Sequence, residues 1–266
     1  MNFKPFDDEA KKLIAKYSYK NGYKGSDYSW NAYLSWFNDI EYAHEDDVLY
    51  IRILDGGIFK YMLPLYNKPM ALEDAIEKLP PRSILAFVTR PQKAELAHLY
   101  WNYKNRDWAE YIYNTKEFSE LNGGKWRKKR QFRDKFLREY ANRYTFERFT
   151  KKDMIDVIHL EQQWALNQDC PREEKKAIEK EENLLMQWLE ESLKGNLICD
   201  VLRIDGRIAG CAIGEIMPNG NAVEMYEKAD IEYTGVYTFL ASEFAIRNFS
   251  GCRYINRQDD VGVEGL

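Results

Sequence analysis

Histidine is scarce in this 266-residue chain: His44, His98 and His159 are its three. No Ser-His-Asp arrangement can be read around them, and each falls on an expected strand or helix position, where a packed histidine is the usual finding. The four cysteines, Cys170, Cys199, Cys211 and Cys252, form no CxxC pair and have no histidine at metal-ligand spacing. A disulfide framework and a zinc site are therefore not expected, and a reducing compartment, the cytoplasm, fits best. No metal and no cofactor is called for. Neither a Walker loop nor a Rossmann fingerprint occurs. No apolar run approaches the roughly 20 residues that span a bilayer, and the start, MNFKPFDDEAKK, carries no signal-peptide core. A net charge of −4 rules out a uniformly basic, histone-like binder but leaves room for a local basic patch.

Hydrophobic residues make up 45% and charged residues 31%, the balance of a globular chain long enough for one large domain or two modest ones. Aromatics reach 15%, which suits either large core contacts or a groove lined with rings. In the second half, alternation predicts a strand over 144–149 and helical spacing a helix over 151–166. Pro171 opens a second helix that Gly195 ends. Strands follow over 197–204, 207–216 and 222–229. Asp205-Gly206 makes the first hairpin turn, which requires positive φ, and Asn219-Gly220 separates the next pair. A helix over 235–248 and a short strand over 253–256 complete the order β-α-α-β-β-β-α-β.

The first half repeats this order loosely. Helices are expected over 7–19 and 29–37 and strands over 40–44, 48–54 and 58–65. A helix over 71–79, a strand over 84–88, a helix from Pro91 to Trp101 and a strand over 108–113 follow. The chain is thus expected to divide into a unit over 1–120, a basic linking helix over 121–142 and a second unit over 143–266. The linking helix is distinctive. Lys125 to Arg138 holds eight basic residues and one acid, a local +7, whereas Glu161 to Glu191 holds nine acids and four bases, a local −5. The basic run suits phosphate, on RNA or on anionic lipid, or a solvated helix face. Within it Lys125, Lys128 and Arg130 are candidate binding residues. Trp126 and Phe132 interleave with the bases as stacking or interfacial side chains, while Phe132, Phe136 and Leu137 also fit a buried stripe.

Two further clusters carry potential chemistry. Glu227 and Lys228 lie at the end of the MYEKAD strand, where a carboxylate with a raised pKa could serve as a base. The terminal stretch YINRQDDVGVEGL gathers Asn256, Arg257, Asp259, Asp260 and Glu264 in a polar loop after a strand, with Arg257 suited to holding phosphate bidentately. The segment Glu232-Tyr233-Thr234-Gly235-Val236-Tyr237 has one glycine and no base, a poor cradle for a pyrophosphate.

The strings YIYNTKEFSELNGGKWRKKRQFRDKF, IDGRIAGCAIGE, MYEKAD, GVYTFLASEF and YINRQDDVGVEGL resemble the C-terminal domain of phosphatidylglycerol lysyltransferases, most strongly from Tyr111 onward. The likeness is closer to short bacterial members than to the full membrane enzymes. It implies an α/β fold of tandem GNAT units with mixed sheets, in agreement with the element order. It also implies transfer of an aminoacyl group from aminoacyl-tRNA to an acceptor, with an anionic lipid or a peptide at a membrane surface as acceptor. Matching positions make Glu227, Lys228 and Asp260 catalytic candidates and Tyr237, Asn256, Arg257, Lys125 and Arg130 substrate-binding candidates, to which the basic helix adds Lys128. The membrane half of those enzymes is absent from this sequence, and the chain stops at Gly265-Leu266 where relatives usually continue. A CoA-dependent N-acetyltransferase and a non-catalytic binding module on the same scaffold remain the competing readings.

Overall fold

The computed structural model describes residues 1–19, 24–37, 39–104, 106, 108–167 and 172–259. The sequence positions Pro171, Cys170, Asp260, Gly262, Glu264 and Gly265 lie outside them. The chain separates into two compact units, one of residues 1–111, 217–220 and 258–266 and one of residues 112–216 and 221–257.

In the first unit Asp7 caps the opening helix, its carboxylate accepting from the backbone N–H groups of Glu9 and Ala10. The elements are β1 (Lys4–Pro5), α1 (Asp8–Ser18), α2 (Trp30–Trp36), β2 (Ile40–Glu45), β3 (Val48–Asp55), β4 (Ile58–Tyr61), β5 (Leu65–Tyr66), α3 (Leu72–Ile76), β6 (Ile84–Leu85) and α4 (Arg90–Leu96). The sheet runs β1-β2-β3-β4-β6, with β5 also on β3, and only β4 and β6 are parallel. One sheet face packs on α1 and α2 through Leu13, Ile14, Tyr17, Tyr33, Ile51 and Ile53. The other packs Tyr50 and Tyr61 against Leu72, Ala75 and Ile76 of α3. The two-residue β1, half of it proline, is too short for any periodicity to register. The single strand expected over 58–65 divides into β4 and β5, and the helix begun at Pro91 ends at Leu96 rather than Trp101.

The second unit adds β7 (Glu110–Asn114), α5 (Thr115–Glu120), α6 (Arg127–Glu139), β8 (Tyr144–Arg148), α7 (Met154–Leu166), α8 (Arg172–Leu193), β9 (Ile198–Ile204), β10 (Arg207–Ile216), β11 (Ala222–Ala229), α9 (Val236–Phe249) and β12 (Tyr254–Asp259). Its sheet runs β7-β12-β11-β10-β9-β8. Asp205 and Gly206 take φ of 50° and 82°, the left-handed pair that the β9–β10 hairpin needs. The face toward α5, α6 and α9 buries Phe118, Phe136, Leu202, Phe239, Phe244 and Phe249. Each such side chain contributes on the order of 1.5–3 kcal/mol by leaving water. Trp126 belongs to this core at 9% exposure and is no surface ring. Phe132 is half exposed and Phe136 fully buried, so the expected stripe reduces to Phe136. The last strand extends to Asp259, which puts Asn256, Arg257 and Asp259 in β12 rather than in a loop after it.

Both units therefore follow one plan. A first strand, two helices and an antiparallel meander lead to a fourth strand, which pairs in parallel with a fifth across an intervening helix.

Candidate active site

In the second unit the parallel pair opens. β11 and β12 are hydrogen-bonded in register at Ala222↔Ile255 and Val223↔Asn256, near the start of β11. Glu224 to Ala229 continue beyond that register, and the side chain of Arg257 bridges from β12 to β11. Its Nε donates to Glu224 Oε2 at 2.7 Å and its terminal amine to Glu227 Oε2 at 2.9 Å. Its planar fork, 5.3 Å from the centre of the Phe118 ring, suits this double contact. Burial disfavours the guanidinium charge, but the two carboxyls outweigh that and hold Arg257 protonated.

Glu224 and Glu227 are three residues apart, which in a regular strand puts them on opposite faces. A β-bulge prevents this. Ile213 pairs with Tyr226 and Gly214 with Glu224, so Met225 is the extra residue and both glutamates reach one face. Gly214 is required opposite the bulge, because a Cβ there would collide with the carbonyl of Val223 and meet the Phe249 ring. Burial pushes the Glu227 carboxyl well above the usual range, Arg257 opposes the shift, and the neighbouring Glu224 adds to it. One guanidinium faces two carboxyls, so a proton held by Glu227 leaves the set neutral. That proton also provides a donor between the carboxyls, where the buried Glu224 Oε1 has no other partner.

The opposite face of β11 carries Tyr226 and Lys228 against α7 and α8. The Tyr226 hydroxyl donates to Glu161 Oε2 at 2.6 Å. Glu161 is 1% exposed and its carboxyl is raised chiefly by burial. Lys228 Nζ donates to Glu181 at 2.9 Å and lies 3.2 Å from the centre of the Trp164 ring. Tyr237, in the first turn of α9, feels both Glu227 and Glu161. Its hydroxyl is raised mainly by burial, while the Ala229 backbone and the Trp164 indole pull the other way.

The structure thus brings Glu227 and Arg257 together at one opening with Tyr237 near Glu227, leaves Lys228 on the opposite face of β11, and buries Asn256 in the adjoining strand. The basic helix contributes unevenly. Lys129 is exposed, and its charge favours the ionised form of Glu227. Lys125 pairs with Glu117 at 2.9 Å on the surface, and Lys128 is exposed. Arg130 donates to the carbonyls of Leu121 and Gly123, which fastens the end of α5. The carbonyl of Phe132 in α6 closes over Gly235, whose φ is +81°, and a Cβ at Gly235 would collide with it. The first turn of α9 is covered there by protein backbone. Glu224, Tyr226, Glu161, Trp164 and Glu181 had no distinguishing sequence signal. For Glu224 the one mark was its charge, in a strand that also carries Glu227 and Lys228.

Two consecutive units with this strand order define a tandem GNAT acyltransferase-like fold. The sequence matches the family model described as phosphatidylglycerol lysyltransferase, C-terminal, over residues 19–266, and the chain belongs to that family. Among solved structures it is similar to a conserved protein of unknown function from Bacteroides thetaiotaomicron, with 24% identity and a TM-score of 0.85, covering 100% of this chain and 92% of that one. It is also similar to the C-terminal domain of a protein described as a lysylphosphatidylglycerol synthetase from Agrobacterium fabrum, with 15% identity and a TM-score of 0.55 over 95% and 79% of the two chains. FemX shares the fold at 9% identity and a TM-score of 0.54, over 100% of this chain and 91% of its own. No curated protein matches the sequence. Among the described residues no helix is long and apolar enough to cross a membrane.

Proposed function

We propose that this chain is a group transferase that moves an aminoacyl group from aminoacyl-tRNA to a nucleophilic acceptor at the opening between β11 and β12. The observation that carries the reading is the part-buried Glu224–Arg257–Glu227 set, which holds an exchangeable proton at a place where the sheet parts. The acceptor oxygen or nitrogen forms a bond to the acyl carbon, and the ester bond to the tRNA ribose breaks. Glu227 gives its proton to the departing ribose oxygen, and the Glu224–Glu227 pair regains one from the acceptor. Tyr237 donates a hydrogen bond from its hydroxyl to the acyl oxygen as negative charge gathers there. Lys228, committed to Glu181 and Trp164, acts by positioning this face of β11. Lys125, Lys128 and Lys129 supply positive surface for the tRNA backbone or an anionic acceptor. The α6 backbone over Gly235 weighs against a CoA pyrophosphate at the start of α9.

The test uses aminoacyl-tRNA charged with a radiolabelled amino acid, with phosphatidylglycerol vesicles and an amine-bearing peptide supplied as acceptors. Label is expected to move to one acceptor, and Glu227→Gln to slow that transfer on the order of a hundredfold. Loss of label from tRNA no faster than its spontaneous hydrolysis, with every acceptor, defeats the proposal.

A further inference from the structure

The first unit contains a small cavity that the reading above does not use. About 40 Å³ of space is bounded by Ser26, Asp27, Ala32, Tyr33, Phe37, Phe87, Gln258 and Asp259. Its chemistry is lopsided. Asp27 and Asp259 both border it, and Glu110 stands beside them, its Oε1 held by the backbone N–H of Ser26 at 2.6 Å and the Ser26 hydroxyl at 2.5 Å. The Gly25 backbone lies against both Asp27 and Glu110, since a Cβ there would stand 3.0 Å from Asp27 Oδ2 and 3.1 Å from Glu110 Oε2. Burial raises the Asp27 carboxyl well above its usual range, and the charges of Glu110 and Asp259 raise it further.

An independent observation points to an occupant. Tyr33 is 1% exposed, and its hydroxyl is buried without a hydrogen-bond partner. The charge of Asp27 acts on that hydroxyl, which places it at the acidic end of the cavity. A buried hydroxyl left unpaired costs on the order of 1–3 kcal/mol, so a group that pairs with it is favoured. The remaining wall is aromatic. Phe37 and Phe87 meet edge to face at 6.0 Å, and Phe87 stacks on Trp108 at 4.9 Å. Phe87 and Gln258 hold left-handed backbone conformations, φ of 56° and 59°, on either side of the space. That costs energy and keeps both side chains at this wall.

We propose that this cavity binds a primary ammonium group, taken between Asp27, Asp259 and the Tyr33 hydroxyl and seated against Phe37 and Phe87. An ammonium has three donors for three oxygens and gains from ring faces, as an organic cation does. Among the described residues no group of three or more His, Cys, Asp or Glu side chains is placed to hold a metal ion, and magnesium therefore serves as a control cation. The space holds one small head group and excludes a quaternary ammonium. This site does not depend on the transferase reading and stands or falls separately.

Methylammonium chloride is titrated into the full chain, and the backbone amides of Ser26, Asp27 and Tyr33 are followed by NMR. Sodium, magnesium and tetramethylammonium chlorides at equal ionic strength serve as controls. Saturable shifts are expected for methylammonium alone, with a Kd on the order of 10 mM for so small a ligand. Asp27→Asn and Asp259→Asn are each expected to weaken binding about tenfold or more, and Tyr33→Phe less. Binding is expected to be stronger at pH 7.5 than at pH 5. Asp259, whose carboxyl is raised to about 6, and Asp27 must release their protons, with Glu110 and Tyr33 the other titratable groups facing the cavity. Should Asp27→Asn fail to fold, the exposed Asp259 decides the matter. Absence of saturation, equal response to sodium or magnesium, or binding unchanged in the Asp259 variant overturns the proposal.

Discussion

The two units share a strand order and differ in what their fourth strands carry. In the first unit β4 has four residues, and Tyr61, Met62 and Leu63 at its end are buried and mostly apolar. The helix that follows, α3, has five residues and the fifth strand two. In the second unit the fourth strand has eight residues, the helix fourteen and the fifth strand six; Glu224, Glu227 and Arg257 are built into the opening, and Lys228 lies on the other face of the fourth strand. Ionisable groups inside a sheet cost stability unless each is compensated. Topology therefore sets where a site can form, and the side chains at the end of the fourth strand decide whether one does. Local departures from a stable apolar pattern are expected at functional positions.

The sharpest way to break this comparison is to remove the cation from the second unit. Arg257→Met leaves Glu224 and Glu227 facing each other without a counter-charge and is expected to cost about 3–5 kcal/mol in urea denaturation. Lys60→Met, which removes a cation from the fourth strand of the first unit, is expected to cost at most about 1 kcal/mol, because Lys60 pairs with the part-exposed Asp55. Equal costs would erase the distinction between the units.

A smaller effect separates the units by pH. The folded Glu227 carboxyl lies well above its ordinary value of 4.5, so the native state keeps a proton that the unfolded chain releases. Its contribution is fully present below about pH 4.5 and is lost as pH rises toward the folded value, at up to about 1.4 kcal/mol per pH unit. Glu227→Gln removes that slope. Denaturation midpoints of the variant are expected to gain on the parent between pH 4.5 and 8, and parallel curves would show that Glu227 titrates normally.

The smallest expected effects lie along α6. Arg130→Ala loses its bonds to the Leu121 and Gly123 carbonyls and is expected to cost about 1 kcal/mol. Lys128→Glu is expected to leave stability within about 0.5 kcal/mol while weakening tRNA binding and flattening its salt dependence. A Lys128→Glu variant with unchanged tRNA affinity would reduce the helix to a solvated face.

Much of the architecture was legible along the chain. The meanders, the Asp205-Gly206 turn and α9 follow from local periodicity and turn chemistry, which act over a few residues. The opening itself was half visible. Glu227, Lys228, Tyr237 and Arg257 stood out by charge or by resemblance. Glu224 could not be grouped with Glu227, because strand alternation assigns them to opposite faces and the bulge at Met225 shows itself only through pairing with β10. Trp126 among basic residues suggested a surface ring, whereas Tyr113 and Phe118 enclose it.

The amino-acid sequence by itself determined the order of elements and the uneven spread of charge, since both depend on neighbours along the chain. Tertiary structure alone decided which charges are buried, which arginine becomes a brace and which carboxyl keeps its proton. Those properties depend on desolvation and on partners as distant in sequence as Glu224 and Arg257.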